Sequence, residues 1–395
     1  MNAPQKVPEV VSLGCRLNLS ESERIRTMLV GEDNLVVVNS CAVTSEAVRQ
    51  TRQAIRKARK ANPEARLLVT GCAADIEREQ LGAMPEVDGL IANAAKLDPR
   101  AWNVPAKAPP VAALPTRAFV AVQNGCDHAC TFCVIPQGRG QSRSLPIAEV
   151  LQEIETHLEA GSAEVVLTGV DVTSWGHDLP GSPKLGALVK AVLHAFPALR
   201  RIRMSSIDGI EVDDQLFELF AEERRIMPHI HLSLQHGHDL ILKRMKRRHS
   251  RDDALDLVRR LKARRPEVAV GADLIAGFPT ECEDHHEANL SIIRDLDIVH
   301  GHIFPYSVRP GTPAARMPQV DRLSVKRRAA ELRAQVAKQR SEWLPSLLGN
   351  PLEVLAEADG TGYSPEFARV MLPQGAARGS IVTVTPKTLE DNLLS

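Results

Sequence analysis

Strand-like and helix-like segments alternate along most of the chain, and this alternation limits the possible folds more than any other feature. From Ala118 onward there are six apolar, strand-like runs, each followed by a helical pattern: FVAVQNG, EVVLTGV, RRIRMSS, HIHLSLQ, VAVGADLIAG and VHGHIFPYS. Strands that alternate with helices predict βαβ units and a parallel sheet. We therefore predict an α/β fold in which six βα units form a complete or partial (βα)6 barrel, with ligands at the carboxyl ends of its strands.

Two further patterns flank the predicted barrel. Residues 7 to about 98 alternate short apolar runs with helical patterns, which predicts a small parallel sheet of their own. A stretch rich in Pro and Ala then predicts a linker, and short runs between turn residues at the end of the chain predict a small all-β unit. A chain of 395 residues usually contains more than one core. We expect an amino-terminal α/β domain at 1–100, a linker at 101–117, a barrel at 118–345 and a short β domain at 346–395.

Composition and charge narrow the class of protein. No apolar run approaches the roughly 20 residues that span a bilayer, and the start of the chain lacks a basic segment followed by an apolar core. We therefore expect a cytoplasmic protein, in which seven cysteines favour metal binding or catalysis over disulfides. The formal net charge is zero, yet there are three basic runs, at 49–60, 243–251 and 322–340. They predict a surface for a polyanion, with an ordinary solvated face as the alternative for each.

Three cysteines stand close together directly after the first predicted barrel strand. Cys126, Cys130 and Cys133 form the pattern C-x3-C-x2-C, with no fourth cysteine nearby. Structural zinc sites use four ligands, commonly as two pairs. Thiolates also hold iron–sulfur clusters, and a cluster with three cysteine ligands keeps one iron open for a small molecule. The spacing therefore favours an iron–sulfur site with an open iron over buried or spare cysteines.

Three other cysteines each follow an apolar strand-like run. They are Cys15 after VVSLG, Cys41 after VVVNS and Cys72 after LLVTG. Because the carboxyl ends of parallel strands lie on one edge of a sheet, we expect these thiols to converge in a second three-cysteine site. The alternative is the chance occurrence of small residues at strand ends. Gly14 and Gly71 precede two of the cysteines and would allow close backbone approach or an unusual turn.

Longer motifs surround both cysteine sets. They are SLGCRLNLSESE, VVVNSCAVTSEAVRQTRQAIRKA, VQNGCDHACTFCVIPQGRGQSRS with Phe132 before the last cysteine, LSLQHGHDLILKRMKRRHSRDDA and FPYSVRPGTPAARMP. On these motifs the chain resembles, essentially end to end, the methylthiotransferases of the radical S-adenosylmethionine superfamily. The branch it resembles most acts on N6-threonylcarbamoyladenosine beside the tRNA anticodon. The isopentenyladenosine branch more typically shows GCQMN at the first cysteine and the ribosomal-protein branch GCPKN, whereas here Arg16, Leu17 and Asn18 follow Cys15.

The resemblance implies an activity, cofactors and partners. The enzyme would convert N6-threonylcarbamoyladenosine to its 2-methylthio derivative with two [4Fe-4S] clusters and S-adenosylmethionine, whose cleavage gives a 5′-deoxyadenosyl radical. The six cysteines would hold the clusters, and the amino-terminal cluster would supply or position the sulfur. Partners would be a tRNA anticodon stem-loop, held partly by a TRAM-like β domain, an electron donor such as flavodoxin or ferredoxin, and a sulfur source. Alternatives are isopentenyladenosine or a ribosomal-protein aspartate as substrate, or a non-catalytic iron–sulfur RNA-binding protein.

The resemblance also implies S-adenosylmethionine contacts at the ends of the barrel strands. The residues are Phe132 beside the last cysteine, Gly169 and Asp171 after the second strand, Ser205 and Ser206 after the third, and Gly277 and Pro279 after the fifth. Burial in the barrel is the alternative for Phe132, and turn chemistry is the alternative for the Gly and Ser positions.

Four other features remain in the sequence. Arg309 would contact a phosphate or carboxylate, or lie on the surface beside a turn. The histidines at 229–231 and 285–286 lack a partner at a recognised metal spacing, so we expect them to pack. His236 stands where the family usually has a small residue, and we expect no ligand role for Cys282.

Overall fold

The computed structural model describes residues 8–105 and 116–395, so most of the predicted linker at 101–117 lies outside the described residues. The amino-terminal part forms a four-stranded sheet in the order β1-β2-β3-β4, in which every pairing is parallel. Its elements are β1 (Glu9–Ser12), α1 (Arg16–Met28), β2 (Leu35–Ser40), α2 (Ser45–Ala61), β3 (Arg66–Gly71), α3 (Cys72–Ile76), α4 (Arg78–Gly82) and β4 (Gly89–Leu90). The predicted small parallel sheet is confirmed.

Specific side chains determine where helices α1 and α2 of this domain begin. Helix α2 begins after Thr44, whose side chain accepts a hydrogen bond from the Ala47 N–H, and it buries Val48, Thr51, Ile55 and Ala58. Helix α1 begins at Arg16, directly after Cys15. Its first turn is held by Asn18, whose side-chain amide donates to the carbonyls of Leu13 and Ser40.

Residues 117–343 contain the six predicted βα units. The elements are β5 (Arg117–Ala121), β6 (Gln123–Asn124), α5 (Ile135–Arg139), β7 (Arg143–Ser144), α6 (Ile147–Glu159), β8 (Glu164–Thr168), α7 (Leu185–Ala195), β9 (Arg201–Met204), α8 (Asp214–Glu222), β10 (His229–Gln235), α9 (Asp239–Arg244), α10 (Arg251–Arg264), β11 (Ala269–Ala276), α11 (Glu283–Asp295), β12 (Ile298–Pro305) and α12 (Arg322–Trp343). Parallel sheets β5-β8-β9 and β10-β11-β12 are joined by the bridges Ile202–Ile226 and Ile207–Leu232. Since no pairing between β5 and β12 closes the sheet in the described chain, the barrel is partial.

The barrel has an apolar outer layer and a polar interior. Ile202 and Met204 of β9 belong to the apolar core that the strands share with the surrounding helices. Arg201 and Arg203 alternate with them and therefore point to the opposite side. Glu164, at the start of β8, is fully buried there, and its carboxylate lies 3.0 Å from Arg203 Nε. The interior is thus lined by buried charges, whereas helix packing holds the strands in place.

The carboxyl-terminal residues form a six-stranded sheet in the order β16-β13-β14-β15-β18-β17. Its strands are β13 (Leu352–Ala356), β14 (Thr361–Tyr363), β15 (Arg369–Met371), β16 (Ile381–Val384), β17 (Leu389–Glu390) and β18 (Leu393–Leu394). The predicted runs contain β13, β15 and β16, and the structure adds three short strands. This sheet docks on the barrel interior, because Arg203 donates to the carbonyls of Ser364 and Pro365 at 3.0 and 2.9 Å.

The fold agrees with the prediction of an α/β protein with a partial barrel and a carboxyl-terminal β unit. The three sets of strands use separate stretches of chain, and the domain boundaries themselves stay a prediction. In the described part of the chain, no helix has both the length and the apolar character that crossing a membrane requires.

Candidate active site

The first three strands bring the amino-terminal cysteines to one edge of the sheet. Cys15 lies directly before α1, Cys41 follows β2 and Cys72 begins α3. The φ angles of Gly14 and Gly71 are both +91°, and a Cβ on Gly14 would lie 2.6 Å from Cys41 Sγ. Burial, together with the nearby Cys15 and Cys72 thiols, raises the pKa of the Cys41 thiol to about 11. The three cysteines therefore lie at the carboxyl ends of three neighbouring parallel strands, and their joint role as one site stays a prediction.

Gly71 gives a direct test of this edge. A Cβ there would lie 2.4 Å from the Ser40 carbonyl oxygen and 2.6 Å from the Ser40 nitrogen, and backbone atoms of a central strand cannot move aside. We expect Gly71→Ala to destabilise the chain by more than the roughly 1–2 kcal/mol that a positive φ alone costs, as measured by thermal unfolding. The control is Gly161→Ala, because Gly161 has a φ of +92° and nothing within 4 Å of an added Cβ. Equal losses in the two variants would contradict this account.

A buried charge network lies beside the amino-terminal cysteines. Lys96 Nζ is 2.6 Å from Glu21 Oε2, and Arg139 Nη1 is 3.0 Å from Glu21 Oε1. All three side chains are at most 2% exposed. Arg139 Nη2 also donates to Asn18 Oδ1 at 2.6 Å, and Lys96 Nζ donates to Asn39 Oδ1 at 3.3 Å. The network joins α1 and a turn of the amino-terminal domain to α5 of the barrel.

The charge of the network favours the thiolate form of the neighbouring cysteines. Burial would raise the pKa of Glu21, but Lys96 and Arg139 hold that pKa below its usual value. Burial raises the pKa of the Cys72 thiol, against the opposing effect of the Arg139 and Lys96 cations. Two buried cations against one carboxylate leave a net positive charge beside the thiols. A negatively charged set of thiolate ligands would be stabilised there.

Sequence reasoning missed this network. Its members come from three elements distant in the chain, and neither periodicity nor spacing marks them. Arg139 lies within the motif QGRGQSR, but the motif alone does not predict that Arg139 pairs with Glu21 and Asn18.

The second cysteine set lies in the loop between β6 and α5. The backbone N–H groups of His128 and Ile135 donate to the thiols of Cys126 and Cys133, both at 3.4 Å. Arg247 Nη1 lies 3.8 Å from Cys130 Sγ. Burial raises the pKa of Cys126 to about 12 and that of Cys133 to about 11. Because iron binds the thiolate, loading of a cluster would release these protons. Three partly buried thiols with N–H donors aimed at sulfur fit an iron–sulfur cluster.

The two cysteine sets approach each other across the contact between α3 and α5. A Cβ on Gly138 would lie 3.4 Å from both Cα and Cβ of Cys72. The Asn93 side chain bridges the two helices, since its Nδ2 lies 2.5 Å from the Gly138 oxygen and 3.9 Å from Cys72 Sγ. The Cys72 thiol also raises the pKa of Cys133. Cys72 therefore lies at the contact with α5, the helix that follows the barrel cysteine loop.

The loop after β8 is built around Gln123. A Cβ on Gly169 would lie 2.8 Å from Gln123 Oε1, and that oxygen accepts the Asp171 N–H at 2.9 Å. The Asp171 carboxylate lies 2.5 Å from His128 Nε2 and accepts from Ser174 at 2.7 Å. Burial would raise the pKa of Asp171, but these partners lower it, and Asp171 in turn raises the pKa of His128. Asp171 is thus joined to the cysteine loop through His128.

The predicted residues after β9 differ in their partners. Ser205 is buried, and its hydroxyl has no hydrogen-bond partner among the described residues. Such groups are uncommon in proteins and are often completed by a ligand or water. Ser206 instead donates to Asp273 Oδ2 at 3.2 Å. Of this pair, only Ser205 has a hydroxyl without a hydrogen-bond partner among the described residues.

The predicted residues after β11 form a tight turn. Gly277 has a φ of +72°, and a Cβ there would lie 2.5 Å from Val325 Cγ2 of α12. Pro279 is buried beside it. The ring of Phe132 meets that of Phe278 edge to face, with centroids 6.4 Å apart, and Phe132 stays half-buried. The turn therefore shapes an apolar wall next to the last cysteine of the barrel loop.

His236 supports this turn. It is fully buried, and its Nε2 lies 3.3 Å from Glu281 Oε2, which also accepts the N–H groups of Gly277 and Phe278 at 2.9 and 3.0 Å. Burial lowers the pKa of His236. A small residue could not make this contact, so the departure from the family pattern has a structural role.

The structure also gives the positions of two other residues considered in the sequence analysis, Arg309 and Cys282. Arg309 is buried and lies 3.4 Å from Glu77 Oε1 of the amino-terminal domain, so a surface position is wrong for it. Cys282 is exposed at the start of α11.

Comparison with known proteins agrees with this architecture. The Radical SAM superfamily matches residues 120–291, and Uncharacterized protein family UPF0004 matches residues 8–92. Among solved structures, the radical S-adenosylmethionine methyltransferase TsrM from Kitasatospora setae has a TM-score of 0.51 at 16% identity, covering 71% of this chain and 66% of that one. The radical enzyme OxsB has a TM-score of 0.52 at 11% identity, covering 86% of this chain and 56% of that one. These likenesses support the fold.

Relatives in sequence extend over nearly the whole chain. Threonylcarbamoyladenosine tRNA methylthiotransferase MtaB of Rickettsia prowazekii is 46% identical, covering 94% of this chain and 93% of the relative. The protein of the same name from Chlamydia pneumoniae is 34% identical, with 92% and 91% covered. A tRNA-2-methylthio-N(6)-dimethylallyladenosine synthase of Erythrobacter litoralis is 32% identical, with 98% and 97% covered. The chain belongs to the radical S-adenosylmethionine methylthiotransferase family.

Proposed function

We propose that the chain converts N6-threonylcarbamoyladenosine beside the tRNA anticodon to its 2-methylthio derivative. The observation that carries this proposal is the presence of two three-cysteine sets, one ending in Cys72 of α3 and one directly before α5, with α3 and α5 packed against each other. The substrate is supported by the 46% identity to the threonylcarbamoyladenosine enzyme of Rickettsia prowazekii, compared with 32% to the dimethylallyladenosine enzyme of Erythrobacter litoralis.

We further propose that each cysteine set holds one [4Fe-4S] cluster through three thiolates. Cys126, Cys130 and Cys133 would hold the cluster that binds S-adenosylmethionine, and Cys15, Cys41 and Cys72 would hold the second. When bound, these groups supply a carbon radical and the sulfur to be methylated, which ionic chemistry cannot supply at the adenine C2 position because that carbon carries no acidic proton.

The protein's own residues would position and shield these groups. In this proposal the Ser205 hydroxyl takes a hydrogen bond with S-adenosylmethionine, and the turn at Gly277 and Pro279 forms the wall of its site. Asp171 acts as a positioning residue, since its bond to His128 fixes the loop that carries Cys126. Arg139 and Lys96 keep positive charge beside the amino-terminal thiolates.

The RNA would be held by lysines of the basic runs that carry no ion pair among the described residues. Most arginines of the basic runs are already paired; for example, Arg52 bonds to Glu77 and Arg248 to Glu211. By contrast, five lysines of these runs are exposed and carry no ion pair in the described chain. They are Lys57, Lys60, Lys243, Lys246 and Lys326. Unpaired surface cations of this kind contact phosphates without reading sequence.

Because the proposed substrate is tRNA, we also propose that the reaction takes place in the cytoplasm. It would need an electron donor such as flavodoxin or ferredoxin and a sulfur source.

Nucleoside mass spectrometry of bulk tRNA tests this function. Deleting the gene should remove 2-methylthio-N6-threonylcarbamoyladenosine and leave the unthiolated nucleoside in its place. The intact gene should restore the product, and the Cys126→Ala gene should not. An unchanged amount of the product in the deletion strain, or a loss confined to 2-methylthio-isopentenyladenosine, would contradict the substrate assignment.

A further inference from the structure

Among the described residues, Arg16 is a cation without an ion pair, and it lies where the carboxyl-terminal turn docks on the barrel. It follows Cys15 as the first residue of α1 and is half-buried. Its guanidinium carbon lies 5.7 Å from the ring centroid of Phe367, which belongs to the carboxyl-terminal turn that docks in the barrel. In the part of the chain that the structure describes, Arg16 makes no hydrogen bond or ion pair with any side chain or carbonyl.

The carboxylates near Arg16 are engaged elsewhere. Glu164 lies 2.7 Å from Arg117 Nε and 3.0 Å from Arg203 Nε. Asp273 Oδ1 lies 3.1 Å from both His231 Nε2 and His302 Nδ1, and Asp273 Oδ2 accepts from Ser206.

The other guanidiniums around the Phe367 ring each have a carboxylate, and Arg16 does not. The guanidinium carbons of Arg117 and Arg203 lie 5.7 and 5.0 Å from the centroid of the same ring. A partly buried cation among other cations is unfavourable without an anion. The missing partner of Arg16 is therefore expected to be a bound anionic group.

We propose that Arg16 binds the carboxylate of the threonylcarbamoyl group on the substrate adenine. This inference rests on the proposed function and names the group that sets its specificity. A guanidinium recognises a carboxylate through two parallel hydrogen bonds. Arg16 follows Cys15 in the chain, so the proposed anchor for the N6 substituent is carried by the same turn as a ligand of the proposed second cluster.

The same arginine would reject neutral substituents. An isopentenyl group carries no acceptor, so its binding would bury the Arg16 charge without a partner. Sites with a dedicated polar group discriminate strongly against ligands that lack its complement, because that group is then left unpaired. Arg16 is thus a specificity-determining residue for an anionic N6 group.

Binding of RNA without turnover tests the inference. The probe is an anticodon stem-loop that carries either N6-threonylcarbamoyladenosine or its methyl ester, which removes the negative charge and little else. Dissociation constants are measured by fluorescence anisotropy on the anaerobically reconstituted full chain without S-adenosylmethionine. We expect the wild-type chain to bind the acid about tenfold to a hundredfold more tightly than the ester. We expect Arg16→Gln to lose this preference by weakening the acid complex alone.

Arg24→Gln is the matched control, because Arg24 is an exposed arginine on the same helix. It should keep the full preference. Equal binding of acid and ester by the wild-type chain overturns the inference without any variant, and so does an undiminished preference in a folded, iron-loaded Arg16→Gln chain. A wild-type chain that prefers the acid but forms no methylthio product contradicts the proposed function alone. Product formation without that preference contradicts the role of Arg16 alone.

Discussion

Replacing Cys133 with alanine is expected to abolish cleavage of S-adenosylmethionine, whereas replacing Cys15 is expected to spare cleavage and stop sulfur insertion. The two thiols lie in different sets, one in the barrel loop and one at the amino-terminal sheet edge. Each set has three thiols and no spare cysteine beside it, so the loss of one ligand leaves two. Each variant should therefore lose about four irons per chain.

Two assays separate the expected effects. Formation of 5′-deoxyadenosine reports cleavage, and nucleoside mass spectrometry reports the methylthio product. Cys282→Ala is the control, since Cys282 is exposed at the start of α11, and it should match the wild-type chain in both assays. A Cys15→Ala chain with full product yield would refute the division of labour between the two sets. A Cys133→Ala chain that still cleaves S-adenosylmethionine would refute the placement of its binding site.

Replacing Glu21 with glutamine is expected to destabilise the chain by about 3–5 kcal/mol, because it leaves two buried cations without their counter-ion. Lys96 and Arg139 both bond to this carboxylate, and all three side chains lie out of water. Breaking a buried ion network by removing one member costs far more than the network contributes relative to an apolar core.

Glu23→Gln is the matched control for this prediction. Glu23 lies two residues further along α1 and pairs with Arg26 on a partly exposed face. A pair of that kind contributes about 0–1 kcal/mol. Urea unfolding of the reduced, iron-free chains compares the two variants without any cofactor. Equal urea midpoints for Glu21→Gln and Glu23→Gln would show that the buried network does not contribute measurably to the stability of the chain.

The sequence was sufficient to predict those parts of the molecule that follow from local pattern. Six apolar runs separated by amphipathic segments appear as β5, β8, β9, β10, β11 and β12. The strand-end positions of Cys15, Cys41 and Cys72 required only that β1, β2 and β3 be parallel neighbours. Both results depend on periodicities that side-chain burial imposes directly.

Other features depend on tertiary contacts that no local pattern encodes. Lys96 and Glu21 are 75 positions apart, and nothing in the sequence distinguishes them from ordinary surface charges. In the folded chain both are buried and paired with each other. Most arginines of the basic runs face carboxylates from other elements. The number of basic residues in a run is therefore larger than the number of cations that remain free to bind a polyanion. Strands of two or three residues, such as β17 and β18, are too short for any periodicity to appear.

The most direct test of the central claim is a competition reaction with purified protein. The anaerobically reconstituted chain receives S-adenosylmethionine, a reductant, a sulfur source and equal amounts of two anticodon stem-loops. One carries N6-threonylcarbamoyladenosine and the other N6-isopentenyladenosine, and mass spectrometry measures both methylthio products from the same tube. We predict that the threonylcarbamoyl RNA is methylthiolated and that the isopentenyl RNA remains unmodified. Preferential modification of the isopentenyl RNA, or cleavage of S-adenosylmethionine with neither RNA modified, would contradict the account.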